Sequence, residues 1–422
     1  MKKIKIYCIL IICCFITQFL FASDYGSITL EECINLALEN NPNLKVQKGY
    51  EEYQNLVIKH RKGNFLPSVD NSYGISKRNS SYTYNEISST SSSSDIAARL
   101  NFYYDIVNVT NALNVQSAKK WLQYRKDNTK YYEQQVKLNT TRAFYDAYRI
   151  QEVIPLFDAE VNEYAELLNF VKSKNLSEYD KIFIGIEIKE LEKQIENLKN
   201  DYGCSMYYLK NVIGNSDIKI GPLNGNITFS PISTNIDNTI QKYVDLRPDV
   251  QATKALKSNS ELNVKIAYSN LFPRISFGGS ASYNESLTDS KTHSDAWDIG
   301  ANLYVPIFGG FRRKQEIEIA KNDLKIQENS LEDIEQRAIY EIKDAYQMLT
   351  RIEKEYLLNE LIIDEAKNKL DLSIDRYKKG VGNLLEIRDA LNTYYGAEVG
   401  KLNLLISYKS SVANFKRAIG EI

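Results

Sequence analysis

Asn270-Leu271-Phe272-Pro273-Arg274-Ile275-Ser276-Phe277-Gly278-Gly279-Ser280-Ala281-Ser282-Tyr283-Asn284 is the stretch whose reading decides the fold. Up to Asn270 the chain reads as helix from about Asp249; beyond Pro273 the period changes. Ile275, Phe277, Gly279, Ala281 and Tyr283 alternate with Ser276, Gly278, Ser280, Ser282 and Asn284. A period of two with one apolar face predicts a half-buried strand. A second such run follows, in which Trp297, Ile299, Ala301, Leu303 and Val305 alternate with Asp298, Gly300, Asn302 and Tyr304. The polar segment Ser286 to Asp295 joins the two, so about 273–306 reads as a β-hairpin set between helices.

The same plan lies earlier in the chain. Pro67 precedes Pro273, and Pro42 precedes Pro248, by the same 206 residues (248 − 42). Asn64-Phe65-Leu66-Pro67 stands opposite Asn270-Leu271-Phe272-Pro273, and Leu209 to Gly214 stands opposite Phe415 to Gly420. After Pro67, Val69, Asn71, Tyr73 and Ile75 alternate with small and polar residues, and Ile96, Ala98, Leu100, Phe102 and Tyr104 do so on the return, giving a hairpin over about 66–104 with a Ser/Thr-rich loop from Asn79 to Ser94. Two long repeats, about 24–214 and 236–422 around a linker at 215–235, predict a pseudo-symmetric architecture.

The rest reads as helix. Thr29-Leu30-Glu31-Glu32 is a capping box that opens a short helix ending near Pro42, and a second runs from about Asn43 to Asn64. Glycine is absent from about Asn108 to Lys174 and from about Arg312 to Lys379, which read as two long helices. In the latter, Leu331, Ile334, Ala338, Ile342, Ala345, Leu349, Ile352 and Tyr356 recur at steps near the coiled-coil period. A helix of that length reaches roughly 100 Å at 1.5 Å per residue. Return helices over Glu178 to Ile213 and Leu384 to Ile419 follow breaks at Lys174-Asn175-Leu176-Ser177 and Lys379-Gly380-Val381-Gly382-Asn383.

The strands have about ten residues each, enough for a tilted strand to cross an outer membrane. On the face opposite the apolar residues stand Asp70, Asp95, Arg99, Asn101, Asp298 and Asn302, which suit the wall of a water-filled pore and not a dry core. Four strands form an open sheet, and lipid tolerates no open edge. Eight strands from two chains would leave an interior that side chains nearly fill, whereas twelve from three chains leave a lumen. A homotrimer is thus the smallest assembly that conducts.

Residues 1–23 carry Lys2, Lys3 and Lys5, the apolar run Ile6 to Phe21 and the small pair Ala22-Ser23, the pattern of a secretory signal peptide. Past it no apolar run reaches the length of a spanning helix, and mean hydropathy is −0.39. Lys+Arg 53 against Asp+Glu 54 gives no electrostatic reason to expect nucleic acid. Of five cysteines, Cys8, Cys13 and Cys14 fall in the leader; Cys33 and Cys204 read as two buried free thiols, with a disulfide between them as the alternative. His60 and His293, the only histidines, have no carboxylate or thiol at metal-ligand spacing, and Gly309-Gly310 lacks the remainder of a phosphate loop. The expectation is therefore a protein that is not an enzyme and needs no cofactor.

These features resemble the TolC family of outer membrane channel proteins. The matching segments are Leu30 to Pro42, Leu246-Arg247-Pro248-Asp249-Val250, Val305-Pro306-Ile307-Phe308-Gly309-Gly310, and Arg376-Tyr377 through Asp389-Ala390. The resemblance implies a mostly α fold with a small β part: a homotrimer with a twelve-stranded transmembrane β-barrel in the outer membrane lipid and a coiled-coil helical barrel in the periplasm. It also implies a passive exit duct for a tripartite efflux pump or type I secretion system, with a periplasmic adaptor and an inner-membrane pump or ABC transporter as partners. A gate at the helix tips would be lined by Glu386 and Asp389, three residues apart on one side of a helix, drawing cations to the bore. Asp180 and Tyr377 match residues that link neighbouring helix pairs; the family's basic partner falls at Gly382 here, leaving Arg388 as the replacement. Asn175, Leu176, Ser177, Gly380, Val381 and Gly382 match the tips where adaptor hairpins dock. The competing expectation is a non-conducting coiled-coil scaffold of the envelope, which leaves the four strands without a purpose.

Overall fold

The computed structural model describes residues 26–225, 227–232, 236, 239–288 and 292–421, so the leader lies outside the described residues. The elements are β1 (Ile28–Thr29), α1 (Leu30–Asn40), α2 (Pro42–Gly63), β2 (Ser68–Tyr84), β3 (Ile87–Val107), α3 (Val109–Ser173) and α4 (Glu178–Ile213). There follow β4 (Leu223–Asn224), α5 (Ile240–Leu246), α6 (Pro248–Ser269), β5 (Arg274–Ser286), β6 (His293–Tyr304), α7 (Arg312–Lys378) and α8 (Leu384–Ala418). The chain divides into a helical unit, the described residues of Met1–Val46, Lys130–Arg247 and Arg337–Ile422, and a sheet-bearing unit, Gln47–Thr129 and Pro248–Gln336. No helix among the described residues is long and apolar enough to cross a membrane.

The sheet-bearing unit carries four antiparallel strands in the order β2-β3-β5-β6. Their register aligns the apolar residues, since directly opposed residues share a face. One row runs Val69, Phe102, Gly279, Ile299 and the next Asn71, Leu100, Ala281, Trp297. The opposite face carries Asp70, Asn101, Ser280 and Asp298, with Ser280 Oγ donating to Asp298 Oδ1 at 2.5 Å. Apolar side chains stand bare on the first face: Ile75 is 81% and Trp297 80% exposed. Gly279 fits because an added Cβ would meet Asp298 O at 2.7 Å.

Two expectations change here. The hairpins run over Ser68–Val107 and Arg274–Tyr304, and Asn79 to Ser94, read as a loop, is paired strand up to a two-residue turn at Asn85-Glu86. Both turn residues have positive φ, 47° and 65°, the twist that suits a two-residue hairpin. The ladder is closed by backbone bonds, which need no apolar alternation; Ser81–Thr90 and Thr83–Ser88 add hydroxyl pairs at 3.4 and 3.0 Å. Hydrophobic periodicity is blind to such a strand.

In the helical unit Thr29 forms the expected capping box: its N–H donates to Glu32 Oε2 at 2.8 Å, and Glu32 N–H returns to Thr29 Oγ1 at 3.3 Å. One apolar core gathers Cys33, Ala37, Leu44, Phe144, Ala147, Leu209 and Ile213, and burial pushes the Cys33 thiol up to about 12, so it is inert. Cys204, expected to be buried, is exposed. It lies nine residues past Ile195, two and a half helical turns, and so faces away from the buried stripe of α4. Along α7 the stripe from Ala338 through Ile342, Ala345, Leu349, Ile352 and Tyr356 is buried. Pro155 lies inside α3, which continues through it. Phe229 straps the linker across α7 and α8, its ring stacked on Tyr356 at 4.2 Å and tilted against Tyr408 at 5.0 Å, while Ile232 N–H donates to Glu353 Oε1 at 3.0 Å.

The residue before each helix-opening proline makes a matching contact. Asn41 Nδ2 donates to Val212 O at 3.1 Å, and Arg247 Nη1 to Ala418 O at 3.4 Å. Gly214 and Gly420 follow those acceptors by two residues, with φ of 84° and 81°. An alanine Cβ at Gly214 would meet Pro42 Cδ at 2.8 Å and Asn40 O at 2.9 Å. Gly214→Ala is expected to cost about 2 kcal/mol, combining left-handed strain with overpacking, and to lower the melting temperature of the purified protein. An unchanged melt would mean that α1 and α2 can shift freely there.

Candidate functional site

The helical unit contains two tight helix reversals, α3 into α4 and α7 into α8, built alike. Asn175 N–H donates to Lys172 O at 3.1 Å and Leu176 N–H to Val171 O at 3.0 Å; Gly380 N–H donates to Tyr377 O at 2.9 Å and Val381 N–H to Arg376 O at 3.0 Å. Each is a Schellman closure whose pivot adopts a left-handed conformation, Asn175 at φ 51° and Gly380 at φ 78°. Asparagine and glycine are the residues that visit this region most readily. Each return helix is then capped: Ser177 Oγ accepts from Tyr179 N–H at 3.2 Å, and Asn383 Oδ1 from Glu386 N–H at 3.0 Å. Gly382 is tight, since a Cβ would lie 3.0 Å from Tyr377 N. Val381 is left 65% exposed at the turn.

A shared apolar core joins the four helices through Tyr164, Leu167 and Val171 of α3, Ile184 and Leu191 of α4, Leu370 of α7, and Leu384, Ile387 and Leu391 of α8. Around it lie the polar residues singled out in the sequence. Tyr377 Oη donates to Asp180 Oδ2 at 2.8 Å, tying α7 to α4, and the Phe170 ring packs 6.4 Å from that of Tyr377. Burial, with the Asp180 hydrogen bond and charge added, holds the Tyr377 hydroxyl well above its ordinary pKa, so it remains a donor.

Arg388 does not reach Asp180. Its Nη1 lies 3.5 Å from Glu187 Oε1, and its guanidinium sits 5.6 Å over the Phe183 ring, which makes it a separate tie between α8 and α4.

Glu386 and Asp389 each meet a cation from α7. Arg376 Nε lies 3.3 Å from Glu386 Oε2, and Lys369 Nζ lies 2.5 Å from Asp389 Oδ2 while also donating to Thr393 Oγ1 at 3.2 Å. Sequence reasoning missed Arg376, Lys369 and Glu187. The first two were legible in principle, because residues about equally far on either side of the Gly380 turn oppose one another in an antiparallel helix pair. Such exposed pairs contribute only about 0–1 kcal/mol each to stability, but they fix where the carboxylates point. The described residues hold no group of three His, Cys, Asp or Glu side chains able to ligate a metal.

Residues 239–421 match the family model described as outer membrane efflux protein. The pyoverdine export outer membrane protein OpmQ of Pseudomonas aeruginosa is 24% identical over 177 residues, 41% of this chain and 37% of that protein. The chain thus aligns with little more than a third of that relative's length. The outer membrane protein TolC of Vibrio cholerae is 19% identical over 409 residues, 93% of this chain and 91% of that protein. Among solved structures, CusC superposes with a TM-score of 0.81 at 15% identity, covering 94% of this chain and 93% of that one. The CmeC outer membrane channel of Campylobacter jejuni superposes at 0.77 and 19% identity, covering 95% and 88%.

Proposed function

We propose, from the premise that the chain belongs to the TolC-like outer membrane efflux protein family, that it is the outer membrane exit channel of an efflux pump or type I secretion system. It resides in the cell outer membrane, with its helical barrel in the periplasm. Three copies would contribute four strands each to a twelve-stranded barrel. The observation that carries this reading is the β2-β3-β5-β6 sheet, with one bare apolar face, one polar face and two edges, β2 and β6, that have no strand partner among the described residues. Lipid would cover the first face, water the second, and neighbouring copies the edges.

The chain would be two repeats of one plan, a view supported by the element order, which runs twice through helix, helix, strand, strand, long helix and helix, and by the paired Asn41 and Arg247 contacts. Conduction would be passive, with a gate at the α3–α4 and α7–α8 reversals. Glu386 and Asp389 would line the constriction, while Tyr377–Asp180 and Arg388–Glu187 hold the helix pairs together. A periplasmic adaptor would dock on Asn175, Leu176, Ser177, Gly380, Val381 and Gly382, and an inner-membrane pump or ABC transporter would supply the energy. Since the duct is fed by its pump, the cargo would be set by that partner.

The test is planar-bilayer conductance of the purified protein beside Glu386→Gln/Asp389→Asn. The expected result is small cation-selective steps in the native protein and weaker selectivity in the variant, with a trimer band on gels that collapses on heating. Selectivity indifferent to both substitutions would move the constriction elsewhere. A detergent-free soluble monomer that never conducts would overturn the channel.

A further inference from the structure

A cluster on α3, α4 and α8 borders the apolar core through Tyr164 and the helix ties through Arg388 and Glu187, but its buried carboxyl, Glu160, has no role in the contacts assigned above. Glu160 and Tyr164 lie one turn apart on α3, at 5% and 2% exposure. Tyr164 Oη has no hydrogen-bond partner among the described residues although it is sealed from solvent. The charged groups that face this pair are Glu187 from α4 and Arg388 from α8; Tyr395 of α8 also faces Glu160 and itself meets Glu163 of α3 and Tyr394 and Glu398 of α8, and Glu163 in turn meets Glu166, Asp371 and Lys378. Glu187 is the partner of Arg388, at 3.5 Å. Glu160 therefore sits in a buried seam beside a carboxylate whose cation is already engaged, one turn from a hydroxyl with no hydrogen-bond partner among the described residues. Burial of a second negative charge there is unfavourable, so the packed seam favours the neutral acid.

We propose that Glu160 operates a proton-controlled latch: with its carboxyl neutral, α3, α4 and α8 pack together and Arg388 stays on Glu187, and release of that proton to water draws Arg388 from Glu187 and loosens the seam. The consequence for gating rests on the channel reading above; the latch itself concerns only the packing of three helices in one chain.

Its direction with pH follows. Burial, with the Glu187 charge added, pushes the Glu160 carboxyl from 4.5 up to about 7. A carboxyl raised in the packed state favours packing while it holds its proton. That advantage is complete below about 4.5, shrinks as pH rises toward about 7 and is gone above it, so the seam closes on the acid side and is loosest from neutrality upward.

The experiment is hydrogen exchange of the full chain in detergent between about pH 5.5 and 8.5, corrected for intrinsic exchange and read in peptides around Glu160 and Glu187, with conductance recorded in parallel. Native protein is expected to lose protection there by about tenfold or more between about pH 5.5 and 7, and to level off above that. Glu160→Gln, isosteric and uncharged, should stay protected throughout, as should Glu160→Leu. Arg388→Gln should be less protected already at low pH. A native profile without the step, or the same step in Glu160→Gln, overturns the latch. If the step follows Glu160 but nothing conducts at any pH, the latch stands and the channel reading falls; if the protein conducts and no step occurs, the reverse holds.

Discussion

Tyr377→Phe is expected to raise the resting conductance of the reconstituted protein several-fold and to lengthen its open intervals. The substitution removes one oxygen and leaves the ring against Phe170, so the core around it is kept. What is lost is the 2.8 Å bond from Tyr377 Oη to Asp180, a half-buried hydrogen bond to a carboxylate joining α7 to α4. Bonds to charged groups contribute about 1.5–3 kcal/mol, which converts to roughly tenfold to a hundredfold in a closed-to-open ratio. Asp180→Asn should give a smaller effect of the same sign, since an amide oxygen still accepts. Arg388→Gln should give less still, because its 3.5 Å pair with Glu187 is partly exposed. Single-channel recording decides the matter, and a Tyr377→Phe protein with native resting conductance would remove this bond from the proposed gate.

Glu341→Leu should be the most destabilising exchange of a partly exposed residue in the helical unit, by about 3 kcal/mol or more. Its Oε2 accepts from Arg247 Nη2 at 2.9 Å and from Arg417 Nη2 at 3.1 Å, and the Arg247 side chain is only 4% exposed. Leucine would remove the acceptor that Arg247 Nη2 and Arg417 Nη2 share, and with it the ion pairs that offset the burial of the Arg247 charge. Replacing the ion pair as a whole is a different matter, because it also removes the buried charge: Arg247→Met/Glu341→Leu should cost clearly less than Glu341→Leu alone. Denaturant unfolding of the three variants supplies the comparison. Additive losses in the double variant would show that Arg247 acts through its packing and its bond to Ala418 O, not through the ion pair.

Helix ends and strand faces were legible in the residues because their causes are local. Thr29 and Glu32 cap α1 by side chains three residues apart, prolines open α2 and α6, and the alternation after Pro273 needs only the pleat of a strand. Asn175 was legible as a turn pivot for the same reason. The first hairpin was legible only as far as its side chains alternate. Beyond Ile75 its ladder is held by backbone bonds and hydroxyl pairs, and nothing in a run of serines distinguishes such a strand from a loop.

By itself the sequence determined a mostly helical chain with two β-hairpins, long helices reversed at Asn175 and Gly380, and the polar residues that gather near those reversals. It could do so because helix, strand and turn are set by neighbours a few residues apart. Only the tertiary structure decided who meets whom: that Glu386 and Asp389 face Arg376 and Lys369, that Arg388 takes Glu187 and leaves Asp180 to Tyr377, and that Glu160 is enclosed beside Tyr164. These pairings depend on the azimuth at which one helix packs on another. That angle is fixed by the combined fit of Leu167, Ile184, Leu370, Ile387 and their neighbours in one core, not by any residue's own preference.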